Sequence, residues 1–190
     1  MKFLTTKFSL TLATFFLVSV FALNSCKPKC EKHPDDPECL GEEELITTLK
    51  VLVYDSATNA SVGTFQFSDA DNNGTPEIFD TIRLNANTTY RVALQFLNAS
   101  VTPAEDITSE IEAEKDEHLI VFHAHDVTVN FSYADVDDNN LPVGLSSYWR
   151  ATTTGNGQIH IKLRHQPGVK DGTETPGDTD VEVEFPAHIQ

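Results

Sequence analysis

The sequence predicts an all-β fold, an immunoglobulin-like or related two-sheet β-sandwich with one short helix. Three observations predict it. Apolar and polar residues alternate at period two in segment after segment, clusters of Gly, Pro, Asn and Asp separate those segments, and a single stretch carries helical spacing.

From Leu45 to Tyr54, Leu45, Leu49, Val51 and Val53 share one face with Thr47 among them; in Tyr90 to Asn98, Tyr90, Val92, Leu94 and Phe96 point inward while Arg91 and Gln95 point out. Side chains two apart leave a strand on the same side, so each segment reads as a half-buried strand. Val127, Val129, Phe131 and Tyr133 repeat the spacing, as do Ile159, Ile161 and Leu163, and then Val181, Val183 and Phe185. Shorter strands are predicted at Gly63 to Phe67, Thr81 to Leu84, His118 to His125 and Leu145 to Thr152, for about eight or nine in all. The helix is placed at Thr102-Pro103-Ala104-Glu105, a capping-box spacing with Pro at the first helical position, followed by Ile107 and Ile111 one turn apart. Gln166 to Thr179, rich in Gly and Pro, is a long loop of the kind that is either functional or mobile.

Ahead of this domain, Lys2 and Lys7 precede an uncharged apolar run from Phe8 to Phe21, and Leu23-Asn24-Ser25-Cys26 follows it. A basic start, an apolar run too short for a good membrane span and a small residue before Cys are the parts of a lipoprotein signal peptide in order. Residues 1–25 are therefore expected to be removed and Cys26 to be acylated. Residues 26–43 read as a polar tether, and residues 44–190 as the sandwich domain. Export leaves Cys30 and Cys39 in an oxidising compartment, enclosing a short Pro-rich loop, which favours a disulfide over a metal held by two thiols.

The formal net charge of −16 excludes nucleic acid as a partner bound through a basic face. No G-x-S-x-G elbow, H-E-x-x-H pair or phosphate-cradling Gly loop occurs, so the chain is expected not to be an enzyme. Three candidate metal sites remain. Asp69-Ala70-Asp71-Asn72-Asn73-Gly74 matches the first half of a calcium loop, and Thr75, Glu77 and Asp80 fall at its seventh, ninth and twelfth places, although a bidentate Glu is usual at the last. An Asp- and Gly-rich β-turn explains the same letters. Asp135, Asp137 and Asn139 repeat the ligand spacing more weakly. His123 and His125, two apart on one strand, form half of a zinc site that His118, His160 or His188 would complete, or else are surface residues. Tyr148 and Trp149, beside Arg150, offer a platform for a sugar or a peptide; core packing is the commoner fate of a lone Trp.

Read together, the lipobox, the tether, Glu42-Glu43-Glu44-Leu45-Ile46-Thr47-Thr48, Asn87-Thr88-Thr89-Tyr90, Thr102-Pro103-Ala104-Glu105-Asp106-Ile107-Thr108, Asn140-Leu141-Pro142-Val143-Gly144-Leu145, Leu163-Arg164-His165-Gln166-Pro167 and Asp178-Thr179-Asp180-Val181-Glu182-Val183 resemble a family of small lipoproteins of Bacteroidetes, particularly flavobacteria. Some members carry a name invoking the type 1 periplasmic-binding fold. That architecture alternates strands and helices, whereas the pattern here predicts a sheet protein. The resemblance implies outer-membrane anchoring. Lys27-Pro28-Lys29 stands where surface-exposed members carry acid, which leaves the membrane face open. The expected role is a non-enzymatic binding or accessory one, serving a TonB-dependent uptake receptor, with calcium supporting the acidic turns. The alternative is a structural or adhesive envelope protein that holds no small ligand.

Overall fold

A computed structural model describes residues 45–190. The expected signal peptide, the acylated Cys26, the tether and the Cys30–Cys39 disulfide lie outside the described residues. Within them the chain forms eleven strands and one helix, arranged as a two-sheet β-sandwich. One sheet has the order β3 (Ile78–Phe79), β2 (Ser61–Ser68), β1 (Thr48–Asp55), β5 (Thr88–Asn98), β9 (Ser146–Thr153), β8 (Thr128–Tyr133), with β6 (Glu105–Asp106) pairing to the end of β5. The other runs β4 (Ile82–Leu84), β11 (Asp178–Ile189), β10 (Gly155–His165), β7 (His118–His125). Among the described residues no helix is long and apolar enough to cross a membrane.

The period-two sets face each other to make the core. Leu49, Val51, Val53, Val92 and Phe96 are fully buried on the first sheet, and Ile159, Ile161, Leu163 and Phe185 on the second. The ladders are antiparallel except for β4, which joins β11 in parallel. Trp149 lies at the centre with no exposed surface, its indole N–H donating to the equally buried Ser147 hydroxyl at 2.9 Å. Phe122 and Phe131 meet the indole edge-on, at 5.6 and 5.2 Å between ring centroids. The buried Tyr90 keeps a polar handle, since its hydroxyl accepts the Asn85 N–H at 2.8 Å. Trp149 is thus a core residue, while Tyr148 beside it points outward and is exposed.

Two expectations need correction. Leu45 is exposed and lies ahead of β1, which begins at Thr48. The helix α1 is Thr108–Ala113 and does not start at the Thr102-Pro103 signal. Glu105 and Asp106, expected inside its first turn, instead pair with Asn98 and Leu97 as β6. Past Ala93 the β5 edge has no further pairing with β9, and its amides need other partners. Leu145 O accepts the Leu94 N–H, and the Thr108 hydroxyl accepts the Phe96 N–H at 2.9 Å while donating to Phe96 O at 3.1 Å. Sheet completion outweighs the local cap. Ile107 and Ile111, one turn apart as expected, are both buried in the core.

Truncating Trp149 removes a large buried side chain and strands the Ser147 hydroxyl. Trp149→Ala is expected to cost about 3–5 kcal/mol in urea unfolding, whereas Tyr148→Ala is expected to stay within about 0.5 kcal/mol of the parent.

Candidate functional site

The first acidic turn folds as its composition dictates. Gly74 and Asn72 adopt positive φ, the backbone that Gly and Asn tolerate best. Asp69 accepts the N–H groups of Asn73 and Gly74, at 3.0 and 2.8 Å, and Glu77 accepts that of Ala70 at 2.9 Å. Asp69, Asp71 and Glu77 each bring a carboxylate oxygen within 4.8 Å of the others, a set that could take a hard cation. The remaining expected ligands do not join them. Asn73 Oδ1 accepts the Thr75 N–H, and Asp80 lies on the β3–β4 connection, where it accepts the Gln66 N–H of β2 at 2.8 Å.

The second turn is committed to holding the chain. Asp135 accepts the N–H groups of Gly144 and Ser146, at 2.7 and 2.8 Å. Asp137 Oδ1 accepts those of Asn139 and Leu141, and its Oδ2 meets Lys170 Nζ at 2.9 Å, with both side chains almost wholly buried. Burial pushes the Asp137 carboxyl up, but the hydrogen bond from Lys170 and the two backbone donors outweigh it and hold the group below the usual carboxylate range.

His123 and His125 leave the same outer face of the second sheet, but neither belongs to a three-ligand group among the described residues. His123 Nε2 pairs with Glu174 at 2.9 Å, and the His125 ring rests on His160, 4.4 Å away. Lys162 reaches Glu174 at 3.0 Å and Glu182 at 3.3 Å, and His160 lies 3.4 Å from Glu184. The hydrogen bond from Lys162, followed by the one from His123, holds the Glu174 carboxyl below its usual range against its burial. These partly exposed pairs form a ladder across the sheet and contribute little individually. His118 sits five residues from His123, an odd spacing that places it on the opposite, inward face. His188 is engaged with Asn156 at 2.6 Å.

The inward face holds a group that the sequence pattern did not single out. His118 on β7 stands directly opposite His165 on β10, and their rings stack at 4.8 Å with 7° between planes. On β11 the register skips between Leu163↔Val181 and Arg164↔Thr179, leaving Asp180 as the extra residue of a bulge, and bulges re-aim side chains. Asp180 Oδ2 lies 3.8 Å from His118 Nε2, and its Oδ1 lies 4.0 Å from His165 Nδ1. Glu117 Oε2 is 3.8 Å from His165 Nε2. His118 is buried, and its Nδ1 meets the Glu114 carbonyl at 3.1 Å. Burial lowers its pKa to about 4, with the carbonyl opposing and His165 and Lys170 reinforcing the shift. The ring is therefore neutral near pH 7, carrying its proton on Nδ1. Burial, with Asp116 and Glu114 adding to it, pushes the Glu117 carboxyl up.

The long loop that follows His165 is held at several points. The fully buried Gln166 donates from Nε2 to Thr173 O and Pro176 O, at 2.8 and 2.9 Å. Arg164 donates to the Thr179 hydroxyl and to the carbonyls of Pro176 and Gly177. Lys170 Nζ donates to Lys115 O at 2.7 Å besides pairing with Asp137. Gly177 has φ +78°, and a Cβ there would lie 2.0 Å from His165 O, so no other residue fits.

The first sheet presents a row of exposed or half-exposed side chains. Tyr54, Arg91 and Tyr148 are cross-strand neighbours on β1, β5 and β9. Arg91 lies over the Tyr54 ring, 4.3 Å from its centroid, and Asn59 Oδ1 accepts from both its Nε and Nη2, at 3.0 and 2.9 Å.

Because the folded Asp137 carboxyl is held below its unfolded value of 3.8, the stability it contributes is present above about pH 4 and is lost as pH falls through the folded value. Asp137→Asn is expected to cost about 3–5 kcal/mol at pH 7 by leaving Lys170 buried without its counter-charge. In urea unfolding, the gap between parent and variant should hold down to about pH 4 and then shrink.

No protein-family model, curated protein or solved structure matches the chain, so its function has to be read from its own side chains.

Proposed function

We propose that this chain is a lipid-anchored protein of the outer membrane with a non-enzymatic binding role, an accessory to a TonB-dependent uptake receptor. The anchor in this reading is Cys26, set behind Leu23, Asn24 and Ser25. The observation that carries the binding role is the Tyr54–Arg91–Tyr148 row. Its inner neighbours Val53, Val92 and Trp149 are fully buried, so the outward side chains ride on a rigid sheet. Arg91 is held in place by Asn59 and by the Tyr54 ring, which lowers the entropy lost when a ligand is gripped. The exposed Tyr148 ring beside a guanidinium suits a sugar ring, whose apolar face stacks while its hydroxyls accept hydrogen bonds. The acidic surface supports the same reading, since it disfavours nucleic acid and anionic surfaces as competitors.

Two measurements test this. On cell fractionation the parent should partition with outer membranes and carry lipid mass at its mature terminus, whereas Cys26→Ala should be recovered in the soluble fraction. In calorimetry against a panel of oligosaccharides, Tyr148→Ala should weaken the best-bound sugar about tenfold without moving the unfolding midpoint. Equal affinity in parent and variant would remove the row from the binding role.

A further inference from the structure

We propose that His118, His165 and Asp180 form a buried site for one divalent transition-metal ion of the Zn²⁺ class, separate from the sugar-binding row. Each of the three offers a ligand atom within 4.8 Å of the others. Two imidazoles and one carboxylate are a donor set that selects Zn²⁺ and its neighbours over Ca²⁺ or Mg²⁺.

Three features separate this group from a chance cluster. His118 is 1% exposed, and its Nε2 has no hydrogen bond among the described residues although it is fully shielded from water. At 3.8 Å from Asp180 Oδ2 that nitrogen is beyond hydrogen-bond reach. With the ring's proton on the Nδ1 that meets Glu114 O, the Nε2 lone pair faces a carboxylate oxygen across the gap, and a cation there would satisfy the nitrogen. The outer contacts also follow the pattern of metal-ligating histidines, whose second nitrogen donates to a carbonyl or carboxylate. His118 has the Glu114 carbonyl in that place; His165 has the Glu117 carboxylate 3.8 Å from Nε2, outside hydrogen-bond reach, with Nδ1 toward Asp180. Finally, the aim of Asp180 comes from a β-bulge, next to a loop whose ends Gln166 and Arg164 hold.

Ligand atoms about 2.0–2.1 Å from a tetrahedral zinc lie about 3.4 Å apart. The separations of 3.8 and 4.0 Å seen here close to that value with small side-chain rotations. The rings must also open from their parallel stack, because each lone pair lies in its ring plane. Three protein ligands leave a fourth position open for water.

The test uses the full chain, purified in detergent and stripped with a chelator. Titration with ZnCl₂ should show one ion bound per chain, retained against about a hundredfold excess of Ca²⁺. His165→Gln and Asp180→Asn should each weaken it at least about 100-fold, while the surface double variant His123→Gln/His160→Gln should bind as the parent does. In ¹⁵N spectra of the parent, zinc should shift His118 Nε2 and His165 Nδ1 and leave the resonances of His123, His125 and His160 in place, a readout that does not depend on any variant folding. Absence of saturable binding, binding that survives His165→Gln, or shifts confined to the surface histidines would overturn the assignment.

Discussion

The constraint on which much of this structure depends is that one end of the sandwich is closed with polar side chains. Where β7 begins and β10 and β11 meet, the apolar ladder of Ile120, Leu163 and Val181 gives way to His118, His165 and Asp180. A polar group removed from water costs several times more when left unpartnered than it returns when paired. The chain answers with a dense set of contacts: Gln166 and Arg164 bind the carbonyls of the following loop, and Lys170 ties that loop to Asp137 and to the turn after α1. Removing one member leaves others buried without partners. Such networks therefore fix one arrangement more sharply than an apolar plug of equal volume would.

The acidity of the chain gives this closure further meaning. With 13 Lys and Arg against 29 Asp and Glu, cations are scarce. At this end Lys162, Arg164 and Lys170 are spent on holding the loop and its acids. Lys170 is committed to Asp137 and to Lys115 O, and Arg164 to the loop carbonyls. His118, His165, Asp180 and Glu117 sit beside these committed cations, two carboxylates facing two imidazoles.

Period two made most of the sandwich legible. It located β5, β7 and β9 closely, and it placed Val51, Val92 and Ile161 inward, because alternation is a direct consequence of strand geometry. It could not show β3 or β6, each two residues long, since two residues carry no period. The helix start was misplaced because the cap signal at Thr102 is local, whereas the unmet amides of β5 are set by tertiary structure. The candidate sites divide in the same way. Turn chemistry read from Asp69 to Gly74 gives the correct loop but not the position of Asp80, which depends on β2 pairing. His118, His165 and Asp180 are far apart in sequence and meet only through the β7–β10 register and a bulge on β11. Parity alone would have set His118 apart from His123. Nothing short of strand order would have joined it to His165.

The two proposed sites use the sheet in opposite ways, and that difference follows from which face each occupies. The Tyr54–Arg91–Tyr148 row stands on the outer face of a three-strand ladder, where side chains are open to solvent and the backbone beneath is fixed by the core. Such a surface favours a ligand that arrives and leaves without any rearrangement of the fold. The His118 and Asp180 side chains are almost wholly buried next to a loop bound at Gln166, Arg164 and Lys170, so an ion reaching them must enter the protein's interior. Entry then requires local opening of the loop, and an ion held there would stabilise the folded state over the unfolded one by mass action. An ion in this position would act as part of the architecture, holding β7, β10 and β11 together where the apolar core ends.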